Sequence, residues 1–308
     1  MGILRRGLPR RTKGLAWAAI AFALAGVLAL TAQPSRSTSA TRSSAWSVSP
    51  AAPRRIVTLT PGLTEIAFAL GAGDRLVGAT RFCDYPPEAL RLQRVGGMLD
   101  VSVEKILDLA PDLVLGSPDD NQKATLVQIR GLGIPMADLE ASDLESILRQ
   151  ILDVGRLLGE EGAALRLTSG MRERAERIAR AVSGERHPRI LYLIWADPPI
   201  VPGRGTVIDD LLRRAGAESV SADEPIPWPR YSLEHIVAAQ PEVIILARHG
   251  PGLDDGALGR WRREGLHLAA FDTGRVYVVD GDLVHRPGPR IIDGLETLAR
   301  LIHPGRLP

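Results

Sequence analysis

Short apolar runs alternate with amphipathic segments along most of the chain. Runs such as Arg55–Leu59, RLVGAT and PDLVLGS are rich in aliphatic and β-branched residues, which is typical of buried strands. The segments between them, such as SDLESILRQILDVGRLLG, repeat apolar residues at helical spacing. Strands that alternate with helices in this way form parallel βα units. The pattern therefore predicts an α/β fold built from parallel sheets.

One long segment interrupts this alternation near the middle of the chain. The stretch EEGAALRLTSGMRERAERIARAVSG contains no strand pattern, and its apolar stripe follows helical spacing. The stripe consists of Ala163, Leu167, Met171, Ala175, Ile178 and Val182. The strand and helix alternation then starts again. We therefore expect two lobes of βα units joined by a single long spanning helix, with a ligand cleft between the lobes at the carboxyl ends of the strands.

The predicted organisation has five parts. They are a signal peptide or N-terminal membrane anchor at 1–32, a flexible Ser/Pro/Ala linker at 33–53, an N-terminal lobe at 54–158, the spanning helix at 159–184 and a C-terminal lobe at 185–308.

The first of these parts has the pattern of an export segment. A basic stretch precedes residues 14–32, which carry no charged side chain. This length suits either a cleaved export signal or an uncleaved anchor in the cytoplasmic membrane. No cysteine follows the apolar run, which excludes a lipid-anchored N-terminus of the mature chain. In both cases we expect the body to be periplasmic or otherwise extracytoplasmic, with the basic end in the cytoplasm.

The overall charge of +2 does not describe the folded body. Residues 1–52 hold seven of the 38 basic residues and no acidic one, so the remainder has 31 basic against 36 acidic residues, a net charge of −5. The body shows no basic stripe of the kind that binds nucleic acid, so we do not expect nucleic acid as a partner. Cys83 is the single cysteine, which excludes an intrachain disulfide and leaves core burial to hold the fold together.

The phrase SVEKILDLAPDLVL is repeated later in the chain as SLEHIVAAQPEVIIL. Each copy predicts a helix capped by Ser102 or Ser232, followed by a buried strand. Glu104 and Glu234 lie in the first turns, where a carboxylate interacts favourably with the helix dipole by about 0.3–1 kcal/mol. Two hypotheses remain open. Either capping explains the repeat fully, or two exposed acids, one on each lobe, form a symmetric pair for a partner with two basic pockets.

Aromatic residues make up 4% of the chain, and several fall in predicted loops or strand ends next to the cleft. These are Phe82, Tyr85, Trp195, Trp228 and Tyr231. Such side chains either hold loops in place or form a stacking surface for a large, flat, partly apolar ligand. Pro227 and Pro229 flank Trp228 and stiffen its backbone, which lowers the entropy lost on binding.

A second group of polar side chains follows a predicted strand near the C-terminus. Asp282, His285 and Arg286 lie in a predicted loop, where they either contact polar groups of a ligand or belong to the start of the last helix, with Pro289 in its first turn. The other histidines lack metal-ligand spacing and are predicted to be ordinary surface or loop residues: His187, His235, His249, His267 and His303. The sequence contains no nucleophile motif, and so nothing in it indicates an enzyme.

Several of these segments together resemble a known family. RIVTLTPGLTEIAFALGAGDRLVG, FCDYPPEA, PIPWPRYSLEHIVAAQPEVIIL and DLVHRPGPRI look like segments of the helical-backbone substrate-binding proteins of ABC importers, and among them the cobalamin-binding members. The resemblance covers nearly the whole chain after about Arg54. It implies a protein without enzymatic activity that captures a corrinoid as transported ligand and delivers it to a permease dimer.

The resemblance also implies roles for individual residues. Phe82, Trp228, Asp282 and Arg286 would contact the ligand, and Trp195 would line the cleft. Glu104 and Glu234 would engage arginines of the permease. Met98 stands where the cobalamin-binding members carry a tryptophan, and methionine can still pack on a flat surface. We add Tyr85 to the expected ligand contacts because it belongs to the Asp-Tyr-Pro-Pro loop.

Departures from the family pattern leave the ligand open. Ser117 also replaces a family tryptophan, and His285 replaces an acid and could approach a bound cobalt. The same fold could bind a ferric siderophore or haem, since the cleft loops offer Tyr85, Tyr231 and several arginines: Arg81, Arg230 and Arg286. Two weaker alternatives are an enzyme acting on a corrinoid and a membrane-anchored interaction module whose cleft stays empty.

Overall fold

The computed structural model describes residues 52–249 and 256–307. The predicted signal peptide or anchor at 1–32 lies outside the described residues, as does nearly all of the predicted linker. Among the helices of the described part, none is long and apolar enough to cross a membrane.

The first lobe contains a parallel sheet covered by helices. Its elements within the described chain are β1 (Ile56–Thr58), α1 (Pro61–Ala69), β2 (Leu76–Ala79), β3 (Gln93–Arg94), α2 (Val103–Asp108), β4 (Leu113–Gly116), α3 (Lys123–Gly131), β5 (Met136–Asp138) and α4 (Leu144–Leu158), with 3₁₀ turns at Gly73–Arg75 and Pro87–Arg91. The five strands are hydrogen-bonded in the order β3-β2-β1-β4-β5, and all pairs are parallel. The chain therefore changes direction across the sheet between β1 and β4.

A single helix of 22 residues, α5 (Glu161–Val182), follows the first lobe. At 1.5 Å per residue it is about 33 Å long. Its buried side chains are Ala164, Thr168, Met171, Ile178 and Val182. The stripe predicted from the sequence is wrong by one residue in the first half of the helix, where Ala164 and Thr168 are buried instead of Ala163 and Leu167.

The second lobe repeats the architecture with a smaller parallel sheet. Its described elements are β6 (Arg189–Leu193), β7 (Trp195–Ala196), β8 (Pro199–Ile200), α6 (Val207–Arg214), β9 (Glu218–Ser219), α7 (Leu233–Ala239), β10 (Val243–Arg248), α8 (Ala257–Arg263), α9 (Ala269–Asp272), β11 (Val276–Asp280), α10 (Gly281–His285) and α11 (Ile291–Ile302). The parallel order is β11-β10-β6-β9, while β7 and β8 form a small antiparallel pair. The predicted α/β class with parallel sheets in two lobes is confirmed.

Each lobe has its own apolar core because the strands are buried on both faces. In the first lobe, Val57 of β1 and Val114 of β4 pack with Ile106 of α2 and Ile129 of α3. In the second lobe, Leu191, Leu193, Ile244 and Leu246 of the central strands pack with Trp261 of α8. Continuous apolar runs of this kind are typical of parallel strands covered by helices on both sides.

The lobes are joined by more than α5. The backbone N–H of Leu144, at the start of α4, donates to the buried carboxylate of Asp210 on α6 at 3.0 Å. Gly62 in α1 lies so close to the carbonyl oxygen of Pro287 that any side chain at this position would overlap it. Glu65 of α1 forms an ion pair of 2.6 Å with Arg290, just before α11. Together with α5, these contacts favour small rather than large lobe movements.

Local boundaries differ from the sequence prediction in three places. Helix α1 begins at Pro61 rather than Leu63, because the Thr60 side chain caps it and accepts a hydrogen bond from the backbone N–H of Leu63. The predicted loop after β11 is the short helix α10, which starts at Asp280 as N-cap. The last helix begins at Ile291, so Pro289 precedes it and does not lie in its first turn.

Candidate ligand-binding cleft

A cavity of about 510 Å³ lies between the two lobes. Its walls include Thr60, two residues after the end of β1, and the residues that directly follow β4, β5 and β6, which are Ser117, Leu139 and Ile194. The carboxyl ends of both sheets therefore border this space. The first sheet changes direction between β1 and β4, and ligands of open parallel sheets bind at such a position.

The first-lobe wall is organised by Asn121, a residue that the sequence analysis did not single out. Its Oδ1 accepts from the backbone N–H of Ser117 at 3.0 Å. Its Nδ2 donates to the carbonyl oxygens of Leu59 at 3.2 Å and Met98 at 3.0 Å. The buried amide thus ties the ends of β1 and β4 to the loop of Met98. This loop is held through its backbone, while the Met98 side chain is half-buried.

The second-lobe wall presents Trp228 on a stiff support. The carbonyl oxygens of Pro227 and Pro229 accept hydrogen bonds from Gly203 and Val201, at 2.8 and 3.1 Å. Gly203 is needed there because a side chain would overlap the carbonyl oxygen of Ile226. Trp228 lines the cavity, and 54% of its surface is exposed. The Pro-Trp-Pro segment therefore holds an accessible indole at the cleft.

Four aromatic rings of the second lobe form a cluster. The hydroxyl of the buried Tyr192 and Nε2 of His285 are hydrogen-bonded at 2.9 Å. The His285 ring lies 4.8 Å from the ring of His249, which in turn stacks on Trp195 at 6.1 Å. Burial, with a smaller effect of the neighbouring His249, lowers the pKa of His285 to about 3. His285 is therefore neutral at physiological pH, and it lines the cavity.

A network of ion pairs connects the lobes beside the cleft. The Arg286 guanidinium contacts Asp84 of the first lobe and Asp282 of its own helix, the latter at 2.7 Å. Burial alone would raise the pKa of Asp84, but the hydrogen bond and charge of Arg286 lower it below the ordinary value. For the buried Glu65, desolvation outweighs the Arg290 partner and raises the pKa.

The predicted site residues occupy three places around this space. Among the predicted ligand contacts within the described chain, Trp228 lines the cavity itself. Phe82, Tyr85 and Trp195 are exposed on surrounding loops and strand ends, and the Arg290 guanidinium lies 3.9 Å from the centre of the Tyr85 ring. The remaining members are half-buried or engaged in contacts within the protein: Met98, Asp282 and Arg286.

Three sequence predictions about individual side chains are wrong. Tyr231 does not face the cleft, because it is buried and its hydroxyl is within hydrogen-bond distance of the Val220 carbonyl and the Glu224 carboxylate. His303 is not a surface residue but is buried against the Gly216 carbonyl oxygen. His249 belongs to the ring cluster and hydrogen-bonds to the Ile194 carbonyl oxygen.

The repeated phrase forms the same local structure in both lobes. Ser102 caps α2 and Ser232 caps α7, each accepting a hydrogen bond from the backbone three residues later. Glu104 and Glu234 are both exposed in the first turns. Hydrogen bonds from its own backbone N–H and from Ser232 lower the pKa of Glu234. Because α2 precedes β4 and α7 precedes β10 in parallel sheets, both first turns lie at the carboxyl edges.

Polar residues of the cavity that the sequence analysis missed include Asp120, Gln150 and Thr206. Gln150 had one available signal, since it is a polar residue within the apolar stripe of α4. Asp120 had none, because acidic residues after a strand are common in surface turns.

The model of the periplasmic binding protein family matches residues 56–283, which is most of the chain. The chain belongs to this family. Its two sheets, spanning helix and interlobe cavity are thus the architecture of a periplasmic binding protein.

Two curated relatives are similar to this chain over most of its length. The vitamin B12-binding protein of Vibrio cholerae is 30% identical over 244 residues, covering 79% of this chain and 87% of the relative. An uncharacterized ABC transporter substrate-binding lipoprotein of Bacillus subtilis, YvrC, is 32% identical over 262 residues, covering 82% of this chain and 81% of the relative.

Two crystal structures are similar to the same extent although their ligands differ. The periplasmic vitamin B12 binding protein BtuF of Vibrio cholerae has a TM-score of 0.74 at 29% identity, over 81% of this chain and 96% of that one. The periplasmic haem-binding protein RhuT from Roseiflexus sp. RS-1 in apo form has a TM-score of 0.74 at 30% identity, over 82% and 99%. Overall similarity therefore does not choose between the two ligands.

Proposed function

We propose that this periplasmic binding protein captures cobalamin or a related corrinoid outside the cytoplasmic membrane and delivers it to the permease of an ABC importer. The observation that carries the proposal is the accessible Trp228, held rigidly between prolines at a cavity between two lobes. A flat, partly apolar macrocycle suits such a surface. The likeness to the vitamin B12-binding protein of Vibrio cholerae supports the same ligand class.

Capture in this proposal is binding without chemistry. The cavity volume of about 510 Å³ is within the range of pockets that hold small ligands, roughly 300–1,000 Å³. A corrinoid would extend beyond it onto the exposed rings of Phe82, Tyr85 and Trp195. Asp282 and Arg286 would then hydrogen-bond to polar groups at the ligand edge. Because these two side chains already pair with each other, little ordering would accompany binding.

Delivery requires a surface that the permease recognises on both lobes. Glu104 and Glu234 are exposed, lie in equivalent first turns and flank the cleft at the carboxyl edges of the sheets. Capping of each helix by its serine does not require the glutamate. We assign these two acids to docking, where they would pair with arginines of the permease dimer.

Haem is the second candidate ligand. The similarity to RhuT favours it, and His285 offers an imidazole in the lining of the cavity. However, Nε2 of His285 is engaged by the Tyr192 hydroxyl, which leaves Nδ1 as the nitrogen that could bind iron. A ferric siderophore is a further alternative, because Arg81, Arg230 and Tyr85 are exposed on the cleft loops.

Titration of the purified protein with cyanocobalamin, cobinamide, haem and a ferric siderophore tests the proposal. Quenching of tryptophan fluorescence and calorimetry would report binding. We expect the two corrinoids to bind with micromolar or tighter dissociation constants, and haem and the siderophore to bind more weakly. Tighter binding of haem or the siderophore, or no corrinoid binding at micromolar concentration, would reject the corrinoid assignment.

A further inference from the structure

The cavity has a polar end on the first lobe whose hydrogen-bonding groups are mostly acceptors. We call it the acceptor pocket, and its members are Ser117, Asp119, Asp120 and Gln150. The first three belong to the turn after β4, and Gln150 lies on α4, so two elements of the first lobe contribute to the lining of the one cavity. The Trp228 side lies across the cavity, on the second lobe.

Gln150 is the member that core packing explains least. Its side chain is only 4% exposed, and its neighbours on the buried face of α4 are aliphatic, such as Ile147 and Ile151. Its Oε1 is buried without a hydrogen-bond partner among the described residues. An unsatisfied buried acceptor destabilises the fold, whereas leucine at this position would pack without that cost. The terminal amide torsion is broad and roughly two-fold, so a half-turn about it exchanges Oε1 with the amide nitrogen in the side chain that lines the cavity.

The charge of the lining indicates what this acceptor is suited to bind. Asp119 and Asp120 are acidic, and no lysine or arginine is found among the described residues that line the cavity. His285 across the cavity is neutral because its pKa is about 3. Burial raises the pKa of Asp120, opposed by a hydrogen bond with Ser117 and reinforced by the charge of Asp119. A carboxylate entering this pocket would meet like charge without a counter-ion, whereas an N–H or O–H donor would find acceptors.

We propose that the acceptor pocket is a specificity site that binds an uncharged hydrogen-bond donor of the ligand, such as a primary carboxamide, and rejects carboxylates. Gln150 and Asp120 would accept the two N–H groups of one amide. The inference rests on the proposed function and deepens it. A corrin carries carboxamides at its periphery and a natural haem carries carboxylates, so this pocket would favour the former over the latter.

The test compares ligands that differ only in an amide and a carboxylate. Calorimetry on the intact protein would measure cyanocobalamin against a cobalamin in which one peripheral amide has been hydrolysed to the acid, taking each positional isomer separately. At least one isomer should bind tenfold or more weakly than cyanocobalamin. Asp120→Asn should reduce that ratio at least threefold, because it removes the repulsion. Gln150→Leu should weaken the binding of cyanocobalamin at least threefold and should weaken the binding of the acid isomer by a smaller factor.

Matched controls lie on the same lobe. Asp108→Asn at the end of α2 and Gln128→Leu on α3 make the same chemical changes at exposed positions and should leave the ratio unchanged. Urea unfolding shows whether Gln150→Leu folds. If that variant does not fold, the result for Asp120→Asn decides. Equal binding of cyanocobalamin and every acid isomer, or a ratio unaffected by Asp120→Asn, overturns the specificity site while leaving corrinoid binding in place.

The same comparison remains decisive if the proposed function fails. Should the protein bind haem but no corrinoid, the pair becomes haem and its derivative with both propionates converted to amides. The acceptor pocket predicts tighter binding of the amide derivative. A preference for the natural carboxylates would overturn the inference independently of the ligand class.

Discussion

At the scale of single residues, this protein separates side chains that build the cleft from those that face it. Asn121 and Gly203 create the walls: the first by hydrogen bonds to three backbone groups, the second by the absence of a side chain. Trp228 and His285 face the space between the lobes. Residues of the first kind should affect stability and binding together, and the exposed Trp228 should affect binding alone.

Trp228→Ala tests the second kind. The exposed indole contributes little to the fold, but stacking against a macrocycle would bury it, and full burial of a large apolar side chain is worth about 1.5–3 kcal/mol. We expect corrinoid affinity to fall about tenfold to a hundredfold, with the melting temperature within about 2 °C of the parent protein. Trp228→Phe should retain most of the affinity. An unchanged dissociation constant for Trp228→Ala would remove this residue from the site.

His285 should make the free energy of unfolding depend on acid pH. Its pKa is about 3 in the folded state, against an ordinary value of 6.5, so below pH 6.5 the unfolded chain binds more protons than the folded one. Stability from this group is complete above pH 6.5 and is lost as pH falls toward 3, on the order of 1 kcal/mol per pH unit. For His285→Gln, the free energy of unfolding from urea titrations between pH 7 and 4 should change less steeply with pH than for the parent protein.

The exposed His187 provides the matched control for this titration. His187→Gln removes an exposed imidazole outside the ring cluster and should keep the slope of the parent protein. Equal slopes for His285→Gln and the parent protein would show that His285 is protonated without unfolding.

At the scale of elements, the short segments around the cleft depend on special backbone contacts, while the long helices do not. The Pro-Trp-Pro segment packs onto Gly203 with no room for a side chain. Within α5, by contrast, a methyl group at the exposed Gly170 would meet no atom within 4 Å. The same substitution should therefore have opposite effects at the two positions.

Gly203→Ala should displace the segment of Trp228, lower the melting temperature and weaken ligand binding together. Gly170→Ala should raise the free energy of unfolding by about 0.5–1 kcal/mol, because glycine costs this much in a helix interior, and should leave binding unchanged. Urea unfolding and ligand titration of both variants check the pair. Normal binding by Gly203→Ala would show that the segment adapts, contrary to the rigid support inferred for Trp228.

At the scale of the whole molecule, two similar lobes are held by α5 and by further contacts between α4 and α6 and between α1 and the segment before α11. Such a body presents one glutamate on each side of its cleft, which is the arrangement that the proposed docking to a two-subunit permease requires. If the proposed docking holds, we expect the distance between Glu104 and Glu234 to change little on ligand binding, because these contacts join the lobes.

Replacement of Glu104 and Glu234 together by alanine tests this arrangement. We expect ligand affinity to stay within twofold of the parent protein, because the acids lie outside the cavity, and transport into vesicles containing the cognate importer to fall at least tenfold. Asp108→Ala combined with Glu264→Ala removes one exposed acid from each lobe elsewhere and should transport normally. Normal transport by the first variant would leave the dipole interaction as the complete explanation of the repeated glutamates.

Apolar periodicity by itself determined the α/β class, the two lobes, the long helix and the capped helices of the repeated phrase. These features depend on neighbours in the chain, so a local pattern is enough to predict them. The aromatic residues in predicted loops singled out Trp228, which lines the cavity, and the exposed rings of its surroundings, and the resemblance to the family added their expected roles in ligand binding. The burial of Tyr231 and His303 was not predictable, because their partners Val220 and Gly216 come from other segments of the chain.

Tertiary structure alone decided the chemistry of the cavity. The turn of Ser117 and Asp120 is far in the chain from Gln150 and from Trp228, and all of them line one space because two sheets turn their carboxyl ends toward each other. The same folding brings Asp84 to Arg286 and His249 to His285, and these contacts decide which groups are charged. Burial and pairing act over distances of a few ångströms in space, which a linear pattern does not encode.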